Sequence, residues 1–385
     1  MSMPQELHSF GRKIGMTKGN GKERILITGC TGFLGLALLK YYVKKYPGLY
    51  NIVGTGRNAA KIPKTLISEI EFIEADIADQ TQIRKICKNV DVVIHCAALC
   101  RPWGKYADHF DVNYLGTAHI VDSCRKHNVK FLIHISSPSV LFPVNRPQTE
   151  LKAKNFVKKI DHDSEVVDES EVANNYIRTK LMAEKLVSEA QRSSSTPFRA
   201  VTLRPRAIFG PGDTTLLPRL LGALKAERFP IIDDGKVIMD LTYIDNVVHS
   251  VDCCLQTGLR EINGIDTNHS PNKSIFGNVY NVTNDEPVEI NWLVNKLCNE
   301  IPNLKRPYKR YSRNFLWYVA CVVEFIFSLL LLFGVDIEPP ITKYTVNVFS
   351  RSVIFDISKT KADLKYCPLV NMDAAIKKTV KTLKE

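Results

Sequence analysis

The stretch "RILITGCTGFLG", Arg24 to Gly35, decides how the chain is read. After Arg24 its first residues are aliphatic or β-branched and suit a strand, while "FLGLALLKYYVKKY" from Phe33 suits a helix. Between them stand Gly29, Gly32 and Gly35. At such a handover the first glycine permits a tight turn and the second lets backbone approach a phosphate. The third lets the helix pack closely on the strand. The helix N-terminus then offers unpaired N–H groups and a positive dipole to a pyrophosphate. The spacing is G-x-x-G-x-x-G rather than G-x-G-x-x-G, and a glycine triplet alone identifies little. Its place between a strand and a helix, early in the chain, points to a bound dinucleotide.

The pattern continues outward from there. "NIVGTGR", "IEFIEADI", a charged helix, "VDVVIHCAA", another helix and "VKFLIHISS" follow in turn. Strand–helix alternation of this kind implies an α/β fold, a Rossmann-type doubly wound parallel sheet with its ligand beyond the carboxyl ends of the strands. After "AVTLRPRAIFGPGD" the elements shorten and Pro and Gly punctuate them, which marks a second, smaller lobe. The expected division is a flexible basic arm over 1–23, a nucleotide-binding domain over 24–205 and a substrate lobe interleaved with it over 206–314. An apolar helix over 315–335 follows, then a return to the substrate lobe over 336–385.

The chain has 385 residues, 45% of them hydrophobic, and a net charge of +12. Its basic residues are spread along the whole length without zinc-ligand spacing or an aromatic RNA-binding signature, so nucleic acid is not an expected partner. A phosphate-rich cofactor and an anionic membrane surface fit the charge better. Ten cysteines form no paired C-x-x-C framework and read as reduced thiols. "DHDSE" around His162 reads as a solvated acidic loop, and no metal is expected. The N-terminus lacks the apolar core of a signal peptide.

The second strand refines the cofactor. It ends in "GTGRN", with Gly56 and Arg57, and no Asp or Glu occurs between Gly29 and Glu69. A carboxylate there accepts the ribose hydroxyls of NAD, whereas an arginine can fork onto the 2′-phosphate of NADP. NADP(H) is therefore favoured over NAD(H). Chemistry comes from "NNYIRTKLMAEKLV", where Tyr176 and Lys180 share one face of a helix. An ammonium close by is expected to lower the phenol toward the working pH and make it a usable proton donor and acceptor. A second Tyr-x-x-x-Lys, Tyr41 to Lys45, is read as ordinary surface. The turn "HISSPSV" offers Ser136, Ser137 and Ser139 as hydroxyls for the substrate oxygen, on position alone.

At this point the chain resembles an extended short-chain dehydrogenase/reductase. "TGCTGFLG", "EADI", "HCAA", "VNYLGT", "HISSPSV", "YIRTKLMAE", "LRPRAIFGPGD" and "TYIDNVVHS" are similar to that family's landmarks, in order, over about residues 24 to 250. The resemblance implies Ser137, Tyr176 and Lys180 as the catalytic set, Asp76 at the adenine and Asn113 as the residue that fixes the active-site helix. It further implies Phe33, Leu34, Ile77, Ala97 and Pro205 among the cofactor-binding residues, and Trp103, Ser137 and Ser139 toward the substrate. "WGKYADHFDVNYLGT", "SPSVLF" and "EPPITKY…VIFDISKTKADLKYCP" resemble the 3β-hydroxysteroid dehydrogenase group, including sterol-4-carboxylate 3-dehydrogenases and 2-alkyl-3-oxoalkanoate reductases. Sterol members often carry the NAD-type acid where this chain has Gly56 and Arg57, a departure that puts an NAD-linked oxidation in doubt. The implied chemistry is hydride transfer between nicotinamide C4 and a carbinol or carbonyl carbon, with Tyr176 exchanging the oxygen's proton. The long charged insert between Ser137 and Tyr176 reads as a lid.

"FLWYVACVVEFIFSLLLLFGV", Phe315 to Val335, carries a single charge, Glu324, and follows Lys305, Arg306, Lys309, Arg310 and Arg313. It meets the length needed to span a bilayer. A span would place the tail on the far side from the core, yet the tail resembles a piece that packs back on the substrate lobe. The expectation is therefore monotopic association on the cytoplasmic face, with basic residues against anionic headgroups. Such a site suits a sterol or long-chain β-oxo acid, and a homodimer is left open. Two other classes remain: a nucleotide-sugar epimerase or dehydratase, and a non-catalytic NADP(H)-sensing scaffold. Cys30, inside the glycine loop, is expected to be shielded from alkylation by bound NADP(H).

Overall fold

The computed structural model describes residues 22–141, 158–161, 164, 168–172, 174–193, 198–265 and 274–384. Its main sheet has seven strands, numbered here in chain order: β1 Arg24–Thr28, β2 Asn51–Gly56, β3 Glu71–Glu74, β4 Val92–His95, β5 Phe131–Ile135, β6 Ala200–Pro205 and β7 Val279–Val282. Every pairing is parallel, and the spatial order is β3-β2-β1-β4-β5-β6-β7. The order reverses between β1 and β4, which opens a crevice above their carboxyl ends.

Alternate strand residues feed two cores. Ile25, Ile27, Ile94 and Ile133 pack with α1 (Phe33–Lys45) and, farther along the chain, with the helix Ile244–Ile262. Leu26, Val93 and Leu132 face the helix Gln80–Ile86, α2 (Gly116–Lys126) and α3 (Asn175–Arg192). With both faces covered, parallel strands can be apolar throughout, and β4 and β5 are buried at every residue. Because Ile244–Ile262, designated α4, and β7 both belong to this layer, the second lobe is woven into the first and does not begin cleanly after residue 205.

The smaller lobe holds a four-stranded sheet, Val288–Glu289, Ile238–Met239, Val353–Phe355 and Lys158–Ile160 in spatial order. Its last strand comes from the insert expected to be a lid, so part of that insert is fixed as an edge strand against the returning tail. Residues 142–157, 162–163, 165–167 and 173 of the insert, His162 included, lie outside the described residues, as do residues 1–21 of the N-terminal arm.

The apolar segment forms α5, Arg313–Leu332, two residues earlier at its start than expected because Ser312 caps it through the Phe315 N–H at 3.3 Å. It is long and apolar enough to cross a membrane by length and composition, with a mean hydropathy of 2.3. One side is nevertheless docked on the second lobe. Leu316 and Ala320 pack with Ile232 and Val346, and Glu324 accepts the Lys343 N–H at 2.7 Å and pairs with its ammonium at 3.2 Å. The other side leaves Phe315, Tyr318, Val322, Phe325, Leu329 and Leu332 exposed, a stripe at alternating three- and four-residue steps. Arg313, expected among the headgroup-facing cations, is buried instead and donates to Ser350 Oγ and Asn347 Oδ1.

Candidate active site

The glycine loop is shaped for a close ligand. Gly29 sits at φ +65°, and a Cβ there would lie 2.7 Å from Ala97 Cα at the end of β4. Gly35 is equally constrained, since a side chain would land on the Gly29 carbonyl. The Gly32 N–H donates to that carbonyl at 2.9 Å. Gly32 then caps α1 without any side-chain bond, and the first turn, Phe33 and Leu34 included, has no acid. The loop thus leaves the N–H groups of α1 without a capping side chain or a nearby acid, and it fits a dinucleotide pyrophosphate. Cys30 corrects one expectation. It points beneath the loop against Gly54, is fully buried, and burial pushes its thiol up to about 12. Slow alkylation is therefore expected with or without a cofactor.

The remaining cofactor candidates lie along the same sheet edge. Arg57 is exposed just past β2, where Gly56 abuts the Thr31 side chain of the glycine loop. Asp76 follows β3 and accepts the Ala78 N–H at 3.0 Å, and Ile77 is buried against Gly116. The Ala97 N–H donates to Thr28 Oγ1 at 3.2 Å, and Pro205 closes β6.

Tyr176 and Lys180 occupy the first turns of α3, which Asn174 caps through the Ile177 N–H at 2.9 Å. Ser137 follows β5. Lys180, 3% exposed, donates to the Ile135 carbonyl at 2.6 Å, and burial lowers it from the usual lysine value. Tyr176 departs from expectation. Burial, with the Cys100 thiol and Tyr344 beside it, raises the phenol well above its ordinary value, and the hydrogen bond to Ser137 offsets only part. The Lys180 ammonium is committed to the Ile135 carbonyl in this state. Asn113 lies in a π-helical segment, Phe110–Leu115, accepts the Leu99 N–H at 2.7 Å and donates to Thr179 Oγ1 at 3.0 Å, tying α3 to the chain after β4. The second Tyr-x-x-x-Lys is not ordinary surface: Tyr41, Lys45 and Tyr46 converge on buried Asp252 and fasten α1 to α4.

Four residues at this site escaped the sequence reading. Cys100 meets Tyr176, Arg219 lies close enough to lower the Cys100 thiol, and Tyr344 Oη is 3.3 Å from Ser139 Oγ. Arg101 pairs with Asp336 at 2.7 Å. Trp103, expected toward the substrate, lies partly buried in the same loop, and its Nε1–H has no partner among the described residues.

Beneath the site runs a buried polar layer. Thr117 donates to the Asn113 carbonyl at 2.6 Å and so accepts from His95 Nε2 at 3.0 Å, leaving His95 Nδ1 to accept from Thr28 at 2.8 Å. That arrangement requires a neutral imidazole. Burial and then Lys180 lower His95 to about 3, and His134, stacked on it at 5.6 Å, is lowered well below the usual value by burial first and then by Lys180 and His95. Below about pH 6.5 the unfolded chain takes up protons that these folded imidazoles refuse, so stability, full above that pH, falls as pH drops toward His95's folded value. Each histidine is expected to cost about 1.4 kcal/mol per pH unit in that window. Asp240, raised to about 6 by burial, acts in the opposite sense and offsets part of this loss. Urea unfolding across the window should show the decline, with a shallower slope in His134→Leu.

Comparison with known proteins follows the same lines. A model of the 3-beta hydroxysteroid dehydrogenase/isomerase family matches residues 26–307. The chain is 28% identical to the 2-alkyl-3-oxoalkanoate reductase of Stenotrophomonas maltophilia, over 92% of this chain and 98% of that one. It is 26% identical to the decarboxylating sterol-4-alpha-carboxylate 3-dehydrogenase of Mus musculus, over 94% and 91% of the two chains. Among solved structures, the UDP-glucuronic acid 4-epimerase of Bacillus cereus in complex with NAD superposes with a TM-score of 0.66 at 22% identity, over 94% and 98%. This last likeness is one of fold.

Proposed function

Because the chain belongs to the 3-beta hydroxysteroid dehydrogenase/isomerase family, within the extended short-chain dehydrogenases/reductases, we propose that it interconverts a secondary alcohol and a ketone on a hydrophobic substrate. The substrate class is a 3β-hydroxysterol or a long-chain 2-alkyl-3-oxo acid. The observation that carries this reading is the meeting of the Tyr176 and Ser137 hydroxyls beside Lys180, at the sheet edge that also holds the glycine cradle. Gly29, Gly32, Phe33, Leu34 and Gly35 would hold the pyrophosphate, and Asp76 and Ile77 would border the adenine end. When bound, the nicotinamide dinucleotide supplies or accepts the hydride. Ser137 donates a hydrogen bond to the substrate oxygen, and Tyr176 gives that oxygen its proton or takes it away. Burial keeps Tyr176 protonated and thus ready as the acid of a reduction. Lys180 favours the phenolate once charge develops, provided its ammonium turns from the Ile135 carbonyl.

Arg57 supports NADP(H) over NAD(H). Arg57→Ala is expected to weaken NADPH binding about tenfold, the value of one charge-assisted bond, while NADH binding stays nearly unchanged. Fluorescence titration with both cofactors checks this.

The docked, half-exposed position of α5 supports in-plane association with the cytoplasmic face of a membrane, where a lipophilic substrate would be found. Assaying the purified protein with NADPH and NADH against hydrophobic ketones and sterols tests the function. Turnover of nucleotide sugars with tightly retained NAD, and none of the lipophilic compounds, would favour the epimerase reading instead.

A further inference from the structure

Tyr344 reaches the active site from the tail of the chain. It lies in the first turn of the short helix Lys343–Val348, which Thr342 caps through the Thr345 N–H at 3.1 Å. This helix is held in place, because Thr342 is buried and Glu324 on α5 accepts the Lys343 N–H at 2.7 Å. So fixed, the Tyr344 ring joins the cluster of Val140, Leu141 and Ile177 on which Tyr176 also packs. Its hydroxyl ends 3.3 Å from Ser139 Oγ. Buried Ser139 in turn donates its N–H to Ser137 Oγ at 3.3 Å. Two further hydroxyls thus stand beside the Ser137 oxygen. Their separation exceeds the usual O–H···O length, so their mutual bond is weak. Neither has another hydrogen-bond partner among the described residues. Hydroxyls so poorly used can both turn and donate to an incoming acceptor.

The surrounding charge selects that acceptor. Lys180 and Arg219 are the charged groups that act on the neighbouring Cys100 thiol, and among the described residues no carboxylate does. Arg219 meets Glu338 through one amine only, at 3.0 Å. A corner with two cations and two available hydroxyls suits an anion. Resting on the reductase reading above, we propose that Tyr344 and Ser139 anchor a substrate carboxylate borne on the carbon next to the reacting one. Tyr344 thereby sets specificity for β-hydroxy and β-oxo acids over neutral alcohols and ketones, and Arg219 adds charge. Bond geometry agrees. In such an acid the carboxyl oxygens lie within about 5 Å of the reacting oxygen. With that oxygen on Tyr176 and Ser137, the carboxylate falls beside Ser139. A long-chain 2-alkyl-3-oxo acid carries this unit, and a 3β-hydroxysterol carries it only when a carboxyl stands beside the hydroxyl. Tyr344 lies beyond residues 26–307, so the anchor comes from a stretch that the family match does not reach.

The test is calorimetric titration of the full chain saturated with NADPH. The probes are a long-chain 2-alkyl-3-hydroxy acid and its methyl ester, and a sterol bearing a carboxyl beside its 3β-hydroxyl with the matching ester. Reduced cofactor cannot take a hydride from an alcohol, so the titration reads affinity alone. Wild type is expected to prefer the acid to the ester on at least one of the two carriers, which identifies the source of the carboxylate. For that acid, Tyr344→Phe should weaken binding about tenfold, the worth of a hydrogen bond to a charged group, while the ester stays within about twofold. Ser139→Ala should do the same, and it leaves the packing around Tyr176 untouched. Equal affinity for acid and ester in wild type would overturn the anchor. Equal weakening of both by the two variants would also overturn it and assign Tyr344 to packing. Oxidation of the acids by NADP⁺ is scored separately. Acid preference without turnover would count against the reductase reading and leave the anchor standing.

Discussion

Tyr176→Phe is expected to lower kcat by about 10²- to 10⁴-fold, the usual worth of a positioned proton donor or acceptor, with cofactor affinity little changed. The phenol oxygen meets both Ser137 and the Cys100 thiol, and burial keeps its proton in place through neutral pH. Phenylalanine keeps the ring, its packing with the Val140, Leu141 and Ile177 cluster, and the α3 turn that carries Lys180. A drop in kcat with retained NADPH binding therefore isolates the proton. A parallel loss of cofactor affinity would mean that the hydroxyl serves chiefly to hold the nucleotide.

Glu184→Ala is expected to destabilise the protein by about 3–5 kcal/mol, the cost of leaving one member of a buried ion pair alone. The Arg204 and Glu184 side chains are 3% and 7% exposed, and Arg204 Nε donates to Glu184 Oε2 at 3.1 Å. This pair joins α3 to β6 one turn beyond Lys180. Its loss leaves a guanidinium in a layer that already holds Lys180 and two neutral imidazoles. Chemical denaturation gives the answer, and a loss no larger than about 1 kcal/mol would assign the pair the value of a surface bridge. Glu184→Gln, which keeps the shape and one acceptor, should fall between the two.

Where local chemistry dominates, the sequence was readable. The strand Arg24–Thr28, the turn at Gly29 and the helix from Phe33 follow from aliphatic pattern and glycine placement within a dozen residues. Tyr176 and Lys180 were legible as a pair from helix spacing, whereas the strand end offered Ser136, Ser137 and Ser139 alike and only the family resemblance singled out Ser137. The misses all depend on distant partners. Tyr41 and Lys45 look like surface until Asp252 arrives from α4 to bury their polar ends. Cys30 belongs to the loop in sequence, but its side chain turns under β2, a direction that spacing does not encode. Arg101 and Arg219 take their partners from the tail after α5, and Tyr344 comes from the same tail. The expected acidification of Tyr176 failed because shared helix spacing places Lys180 near, while the Ile135 carbonyl decides where its ammonium points.

The central claim is that the Tyr176 hydroxyl faces the reacting carbon of a nicotinamide held through the glycine loop. A crystal structure with NADP(H) bound measures this directly. The account expects the pyrophosphate over Gly29 to Gly35 and the nicotinamide ring beside the Tyr176 and Ser137 hydroxyls, leaving a gap into which a substrate oxygen fits at about 3 Å from both. A ring turned out of reach of Tyr176, with the pyrophosphate seated away from the N-terminus of α1, would contradict it.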